Sequence, residues 1–238
     1  MSVESRKELV EKLLDTYRTD ESVLGIVQIG STVKGYDDEH SDVDLVLVVT
    51  EEKYAMLEKT FQKVIHAEDY DLKFTTINKL QYTRNSKSDE DHWGFQDSIV
   101  LFDKTNSLKD LVKGITSYDT TSRPERLKRY YLGYWENTLN SSSCLEHNNH
   151  WGARIYAAIA IQELIRLLFN LNERWAPRIQ WAFKEIRFLH RKPANLQSQI
   201  ESILEEPDSE KLSRLWNQTA MLLRKERHTF VDHPEEIL

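Results

Sequence analysis

The sequence is short of cysteine, glycine and long apolar runs, and these shortages exclude several classes of protein. One cysteine, Cys144, stands among 238 residues, which excludes an internal disulfide and any cysteine-based metal cluster. No apolar stretch approaches the roughly twenty residues of a membrane-spanning helix. Residues 1–7 lack the apolar core of a secretory signal. A protein of the cytoplasm without a membrane partner is therefore expected.

Basic residues are also fewer than acidic ones. The chain has 32 Lys and Arg against 39 Asp and Glu, so its formal net charge is −7. Because nonspecific binding of nucleic acid depends on Lys and Arg that neutralise phosphates, a nucleic-acid partner is not expected. The content of 30% charged and 39% hydrophobic residues is typical of a globular protein. The sequence leaves open whether that protein is a monomer or a homodimer.

A strand that begins with two acids is the most informative stretch. The segment Leu45–Val49 is continuously apolar, a pattern typical of a strand buried on both faces. Since residues i and i+2 of a strand project to the same side, Asp42 and Asp44 should stand side by side. Two adjacent carboxylates against an apolar sheet need a cation, and Mg²⁺ prefers oxygen ligands of this kind.

The turn before this strand has the composition of an anion-binding site. Two of the seven glycines, Gly30 and Gly35, flank it, and between them Ser31 supplies a hydroxyl and Lys34 a cation. Glycine lets the backbone approach a ligand closely, and successive N–H groups in such a turn form a concavity for anions. The segment therefore predicts an anion site next to an acid pair.

Together these residues resemble the signature of the nucleotidyltransferase superfamily that includes DNA polymerase beta. The matching positions are Gly30-Ser31, Gly35 and Ser41-Asp42-Val43-Asp44-Leu45. The resemblance implies an NTP as co-substrate, expected to be ATP, and Mg²⁺ held by Asp42 and Asp44. It also implies that Gly30, Ser31 and Lys34 contact the β and γ phosphates. A third carboxylate on a neighbouring strand would complete the metal site or take the proton of the attacking hydroxyl.

The third carboxylate is expected in the strand predicted at residues 70–77. Alternation places Asp71 and Lys73 on one face of that strand. Asp71 lies within the strand pattern and Asp69 at its edge, so Asp71 is preferred as the third metal ligand and catalytic carboxylate. A surface salt bridge between Asp71 and Lys73 is the structural alternative.

The fold class predicted from the sequence is α/β (α+β), with a mixed sheet and helices over residues 1–115 and a helical bundle over residues 116–238. The elements expected in the first part are helices at 5–18, 51–67 and 108–112, strands at 23–29, 42–49, 70–77 and 98–102, and a solvated loop at 78–97. Helical patterns from 123 onward and at 151–171, 177–189, 196–204 and 212–230 predict a bundle of four to five helices.

The order of the two parts carries a second resemblance. The segment Asn172–Pro177, followed by Trp181 and Lys184, is similar to a region of the aminoglycoside and lincosamide nucleotidyltransferases. This resemblance implies that the helical part binds a small-molecule acceptor with a hydroxyl group, such as an antibiotic of those classes, and that Lys184 contacts a phosphate. Glu136 is a candidate general base from the same part.

The resulting hypothesis is transfer of a nucleoside monophosphate from an NTP to a hydroxyl acceptor. Two alternatives stay open. One is a non-catalytic or antitoxin-like interaction module with a nucleotidyltransferase fold. The other is nucleotide addition to a protein.

Overall fold

A computed structural model of the chain describes residues 3–234. In this range the chain forms five strands and eleven α-helices, and it divides into two compact units, Met1–Ser117 and Tyr118–Leu238. The predicted fold class, a mixed sheet with helices followed by a helical C-terminal part, is confirmed. Among the helices of residues 3–234, none has the length and apolar character needed to cross a membrane.

The first unit is built on a mixed five-stranded sheet. Its strands are β1 (Val23–Ile29), β2 (Val43–Val49), β3 (Val64–His66), β4 (Tyr70–Thr75) and β5 (Ile99–Asp103). Their order across the sheet is β3-β4-β2-β1-β5. β2 pairs in parallel with β4, whereas the other neighbours are antiparallel. β2 is the middle strand, and Leu45–Val49 is buried on both faces as the apolar run predicts.

Helices cover both faces of this sheet. They are α1 (Val3–Arg18), α2 (Ser31–Lys34), α3 (Glu51–Lys59), α4 (Ile77–Arg84), α5 (Asp89–Phe95) and α6 (Leu108–Thr116). Val10 and Leu13 of α1 pack on the face that includes Leu47. On the other face, Val48 packs in one cluster with apolar residues of α4 and α6, among them Leu80.

The crossover helix predicted over residues 51–67 is wrong in its second half. α3 ends early, Phe61 takes a positive φ of 58°, and β3 follows as an edge strand. Val64 and Ile65, expected to face inward from a helix, are 41% and 37% exposed. The backbone of β3 is satisfied by pairing with β4, a contact that periodicity within one segment does not reveal.

The polar segment 78–97 is not the solvated loop that its composition predicts. It forms most of α4 and all of α5, and the hydroxyls of Thr76 and Ser88 cap the first turns of these helices. His92 is buried, and both of its ring nitrogens contact backbone carbonyl oxygens. Asp89 and His92 of this segment are therefore buried in the fold.

The second unit is a bundle of five helices. These are α7 (Arg123–Glu146), α8 (His150–Leu171), α9 (Ile179–Ile186), α10 (Leu196–Glu205) and α11 (Ser209–Lys225), followed by a 3₁₀ turn at Thr229–Val231. Each helical pattern of the sequence corresponds to one of these helices, with ends that differ by a few residues. Pro124 occupies the first turn of α7, where its missing N–H needs no partner.

The first half of α8 buries a different face from the one that its large residues predict, whereas Leu164, Ile165 and Leu168 in the second half are buried as expected. Ile155 and Ile159 are expected in the core, but they are 60% and 38% exposed. Ala157, Ala160 and Ile161 are buried instead, and α7 packs along the helix. Small residues let two helix backbones approach closely, so the packing of α7 and not side-chain size selects the buried face.

Candidate active site

Three carboxylates predicted as site residues lie near the end of the sheet where β2 and β4 begin. Asp44 of β2 pairs directly with Asp71 of β4. Paired residues project to the same face of a sheet, and neighbouring strands lie about 5 Å apart, so the two carboxylates stand side by side. Asp42 directly precedes β2 and lies near both of them, since the charges of Asp44 and Asp71 act on its carboxyl group. Asp69, the weaker candidate, is exposed and contributes only its carbonyl oxygen, which accepts from the N–H of Val43.

The pKa of Asp42 depends on its burial and on its charged neighbours. Burial raises the pKa of Asp42, and the negative charges of Asp44 and Asp71 raise it further, whereas the Lys73 ammonium lowers it. Ionisation of Asp42 is therefore less favourable than that of an ordinary aspartate.

Two further side chains contact the acids. Lys73 Nζ donates to Asp44 Oδ1 at 2.9 Å, and His66 Nδ1 lies 2.7 Å from Asp71 Oδ1. Lys73 thus forms its ion pair with Asp44. The sequence suggests a salt bridge between Lys73 and Asp71 as the structural alternative. His66 and Asp71 are partners in the β3–β4 ladder, so one row across the sheet runs from His66 through Asp71 to Asp44.

Sequence reasoning did not assign Lys73 and His66 to the site. A signal existed for Lys73, because alternation in β4 places it on the face of Asp71. None existed for His66, which falls inside the segment predicted as a crossover helix.

Gly30 is required by the position of Asp44. Its backbone has φ 89° and ψ −163°, a region that is essentially restricted to glycine. A Cβ atom at this position would lie 2.2 Å from Asp44 Oδ2. The two oxygens of Asp44 therefore have different neighbours, since Oδ2 lies against Gly30 and Oδ1 accepts from Lys73.

The predicted anion-binding turn is one helical turn, α2. Gly30 precedes it and Gly35 ends it in the left-handed conformation, with φ 67°. Ser31, the first residue of α2, is half-buried next to Gly30. This arrangement places Gly30 and Ser31 at the acid cluster, where the superfamily resemblance expects phosphate contacts.

Lys34 lies at the other end of α2 and has protein partners. Its side chain is 3% exposed, and Nζ lies 3.6 Å from Asp97 Oδ2. The ammonium also donates to the carbonyl oxygens of Trp93 and Gln96 and lies 4.4 Å from the centre of a Trp93 ring. These contacts attach α2 to α5. A phosphate contact by Lys34 would require it to leave these partners, and that role stays a prediction.

The remaining predicted residues belong to the second unit. Glu136 is half-buried on α7, and Lys184 is exposed on α9 with Nζ 4.8 Å from the centre of the Trp181 ring. Asn172, from the second resemblance, accepts from the N–H groups of His190 and Arg191 through Oδ1. Asn172 thus holds the loop after α9, while the roles of Glu136 as general base and Lys184 as phosphate contact stay predictions.

The chemistry of the acid cluster fits a divalent cation. As they stand within residues 3–234, no three His, Cys, Asp or Glu side chains converge as a ready-made metal site. Mg²⁺, however, typically takes only one or two protein carboxylates and completes its shell with water and substrate phosphates. Asp42 and Asp44 supply such oxygens at the open end of the sheet.

Asp42→Asn should stabilise the metal-free protein. Because burial and neighbouring acids disfavour the ionised carboxylate and raise its pKa, the neutral amide should increase the melting temperature by about 2 °C at pH 7. The gain should shrink as the pH falls and Asp42 becomes protonated in the folded protein. Thermal unfolding in EDTA at pH 7 and pH 4 measures both effects. The exposed Asp69→Asn is the matched control, and a lower melting temperature for Asp42→Asn at pH 7 would contradict the prediction.

Two family matches cover parts of the chain. Residues 8–110 match the family described as "Nucleotidyltransferase domain", and residues 93–182 match "Domain of unknown function (DUF4037)". The first match contains Gly30, Asp42, Asp44 and Asp71. It supports the assignment of the first unit to the nucleotidyltransferase superfamily, as the sequence signature predicts. The narrower resemblance to aminoglycoside and lincosamide enzymes is not confirmed.

One similar solved structure is a nucleotidyltransferase-like protein from Exiguobacterium sibiricum 255-15. It is 12% identical in sequence, the TM-score is 0.49, and the superposition covers 92% of this chain and 75% of that one. No curated protein matches the sequence.

Proposed function

We propose that the protein transfers a nucleoside monophosphate from an NTP, with ATP as the expected donor, to a hydroxyl group of a small molecule. The observation that carries the proposal is the in-register pair Asp44 and Asp71, with Asp42 beside it and Gly30 beneath it. The nucleotidyltransferase domain match supports nucleotidyl transfer in general.

The proposed reaction exchanges one bond to phosphorus for another. The acceptor oxygen bonds to the α-phosphorus, the bond between the α-phosphorus and the oxygen bridging to the β-phosphate breaks, and pyrophosphate leaves. The hydroxyl proton passes to a carboxylate, for which Asp71 is the first candidate and Glu136 the second. Mg²⁺, when bound, offsets the charge of the triphosphate.

Five residues of the first unit have a role in this proposal. Asp42 and Asp44 hold the metal of the nucleotide, and Asp71 is the third acid of the cluster. Gly30 lets the phosphates approach the backbone, and Ser31 offers its hydroxyl and N–H. The acceptor is assigned to the helical unit on the basis of the sequence resemblance, with antibiotics of the aminoglycoside and lincosamide classes as the first compounds to test.

A pyrophosphate-release screen tests the proposal. The full chain is incubated with Mg²⁺ and each NTP in turn, across aminoglycosides, lincosamides and protein acceptors. Release that depends on both an NTP and one acceptor is expected, and mass spectrometry of that acceptor should show the added nucleoside monophosphate. ATP binding without release for any acceptor would count against the enzyme.

A binding module without catalysis is the second candidate. The observation that favours it is that Asp44 pairs with Lys73 and Asp71 with His66, so both acids have partners within the protein. This candidate predicts a silent screen together with copurification of a small helical protein partner.

A further inference from the structure

The ammonium of Lys73 lies within the acid cluster, bonded to one of the carboxylates proposed to hold a metal. It follows Asp71 by two residues on β4 and pairs with Val46, which lies two residues beyond Asp44 on β2. Its side chain therefore runs back toward the end of the sheet, where the ammonium donates to Asp44 Oδ1 at 2.9 Å.

Both carboxylate oxygens of Asp44 therefore have neighbours within the protein. Oδ2 lies on the β1 side, against Gly30, and Oδ1 is held by a cation from the β4 side. Asp71 is the neighbour of Asp44 on that same β4 side. An ion shared by Asp44 and Asp71 would approach Asp44 from the side on which the ammonium of Lys73 is bound, and two neighbouring cations repel each other strongly.

We propose that the ammonium of Lys73 takes the place of one divalent ion, so that this site holds a single Mg²⁺ through Asp42 and Asp44. Asp71 then acts on the acceptor hydroxyl as a carboxylate and not as a ligand of a second metal. The inference rests on the proposed function, because the ion concerned is the one that accompanies the nucleotide.

The charges beside Asp44 disfavour a second ion at this place. The ammonium of Lys73 already forms an ion pair with Asp44, since it donates to Oδ1. A Mg²⁺ between Asp44 and Asp71 would lie close to that ammonium, and the repulsion between the two cations would oppose its binding.

Counting bound Mn²⁺ in the full chain tests this inference. The probe is Mn²⁺ with saturating α,β-methylene-ATP, which resists cleavage of the bond that the reaction breaks, and bound ions are counted by electron paramagnetic resonance. We expect one ion per wild-type chain and two per Lys73→Met chain. Lys73→Gln, which keeps a hydrogen-bond donor but not the charge, should also bind two, and Lys73→Arg should bind one.

Lys63→Met is the matched control. Lys63 belongs to the same unit, and its ammonium donates to Glu58 at 3.1 Å in an exposed ion pair away from the acids. Its count should equal that of the wild type.

Each outcome of the Mn²⁺ count decides the inference. A wild-type count of two overturns it and leaves the proposed function standing. A count of one for Lys73→Met, with unchanged affinity, also overturns it. If Lys73→Met does not fold, Lys73→Gln decides in its place. No bound Mn²⁺ in either the wild type or the Lys73 variants would overturn this inference and the proposed function together.

Discussion

Asp44→Asn should lower kcat/KM for nucleotide transfer by about a thousandfold or more, because one of the two carboxylates proposed to hold the metal of the nucleotide loses its charge. The fold should survive the change. The amide oxygen of Asn can still accept from Lys73, and one negative charge less in an acidic cluster relieves repulsion. The measurement is pyrophosphate release with the acceptor found in the screen, together with thermal unfolding of the same samples.

Asp69→Asn gives the matched control for this loss. It changes the formal charge by the same amount in the same part of the sheet, but the Asp69 side chain is exposed and stands outside the acid row. Its kcat/KM should stay within about twofold of the wild type, as for most surface substitutions. Activity of Asp44→Asn near the wild-type value, with Mg²⁺ present, would remove Asp44 from the proposed site.

Gly30→Ala should damage the site through geometry and not through charge. A methyl group at residue 30 would lie 2.2 Å from Asp44 Oδ2 and 2.9 Å from Asp44 Cγ, so the carboxylate must move. The backbone at φ 89° adds strain of about 1–3 kcal/mol for a residue other than glycine. We expect kcat/KM to fall by about a hundredfold, since misplaced catalytic groups lose that much per ångström. The melting temperature should fall as well.

Gly35→Ala measures the effect of backbone strain alone, because it does not displace Asp44. Gly35 also has a positive φ, 67°, but no atom lies within 4 Å of the added Cβ. This variant should lose about 1 kcal/mol of stability, while its kcat/KM stays within about threefold of the wild type. A double-mutant cycle adds a second check, because Gly30→Ala should destabilise the Asp44→Ala protein less than the wild type. Equal effects in both backgrounds would show that the contact with Asp44 does not matter.

Much of the central site was predictable because its signals are local. The apolar run after Asp44 identifies a buried strand, the flanking glycines identify a tight connection, and alternation places Asp71 on one face of its own strand. Each of these inferences uses residues only a few positions apart, where the backbone geometry of strands and turns dictates the direction of a side chain.

The partners of the acids were harder to predict, because they depend on which strands become neighbours. Lys73 reaches Asp44 only because β4 pairs with β2 in one particular register. His66 reaches Asp71 only because the residues after α3 leave the helix and form a strand. The same limit applies to α8, where the approach of α7 selects Ala157 and Ala160 for burial over Ile155. Tertiary neighbours decide these contacts, and the sequence of one segment does not contain them.

The parallel pairing of β2 with β4 also has a consequence for how the chain selects its fold. A shift of β4 by one residue would turn Asp71 and Lys73 to the opposite face, among Leu45, Leu47 and the other apolar residues that pack beneath α1. Burial of an unpaired carboxylate or ammonium there would cost several kcal/mol. The charged residues of the site therefore destabilise the shifted strand register relative to the observed one. The residues proposed for catalysis thus also favour the sheet arrangement that brings them together.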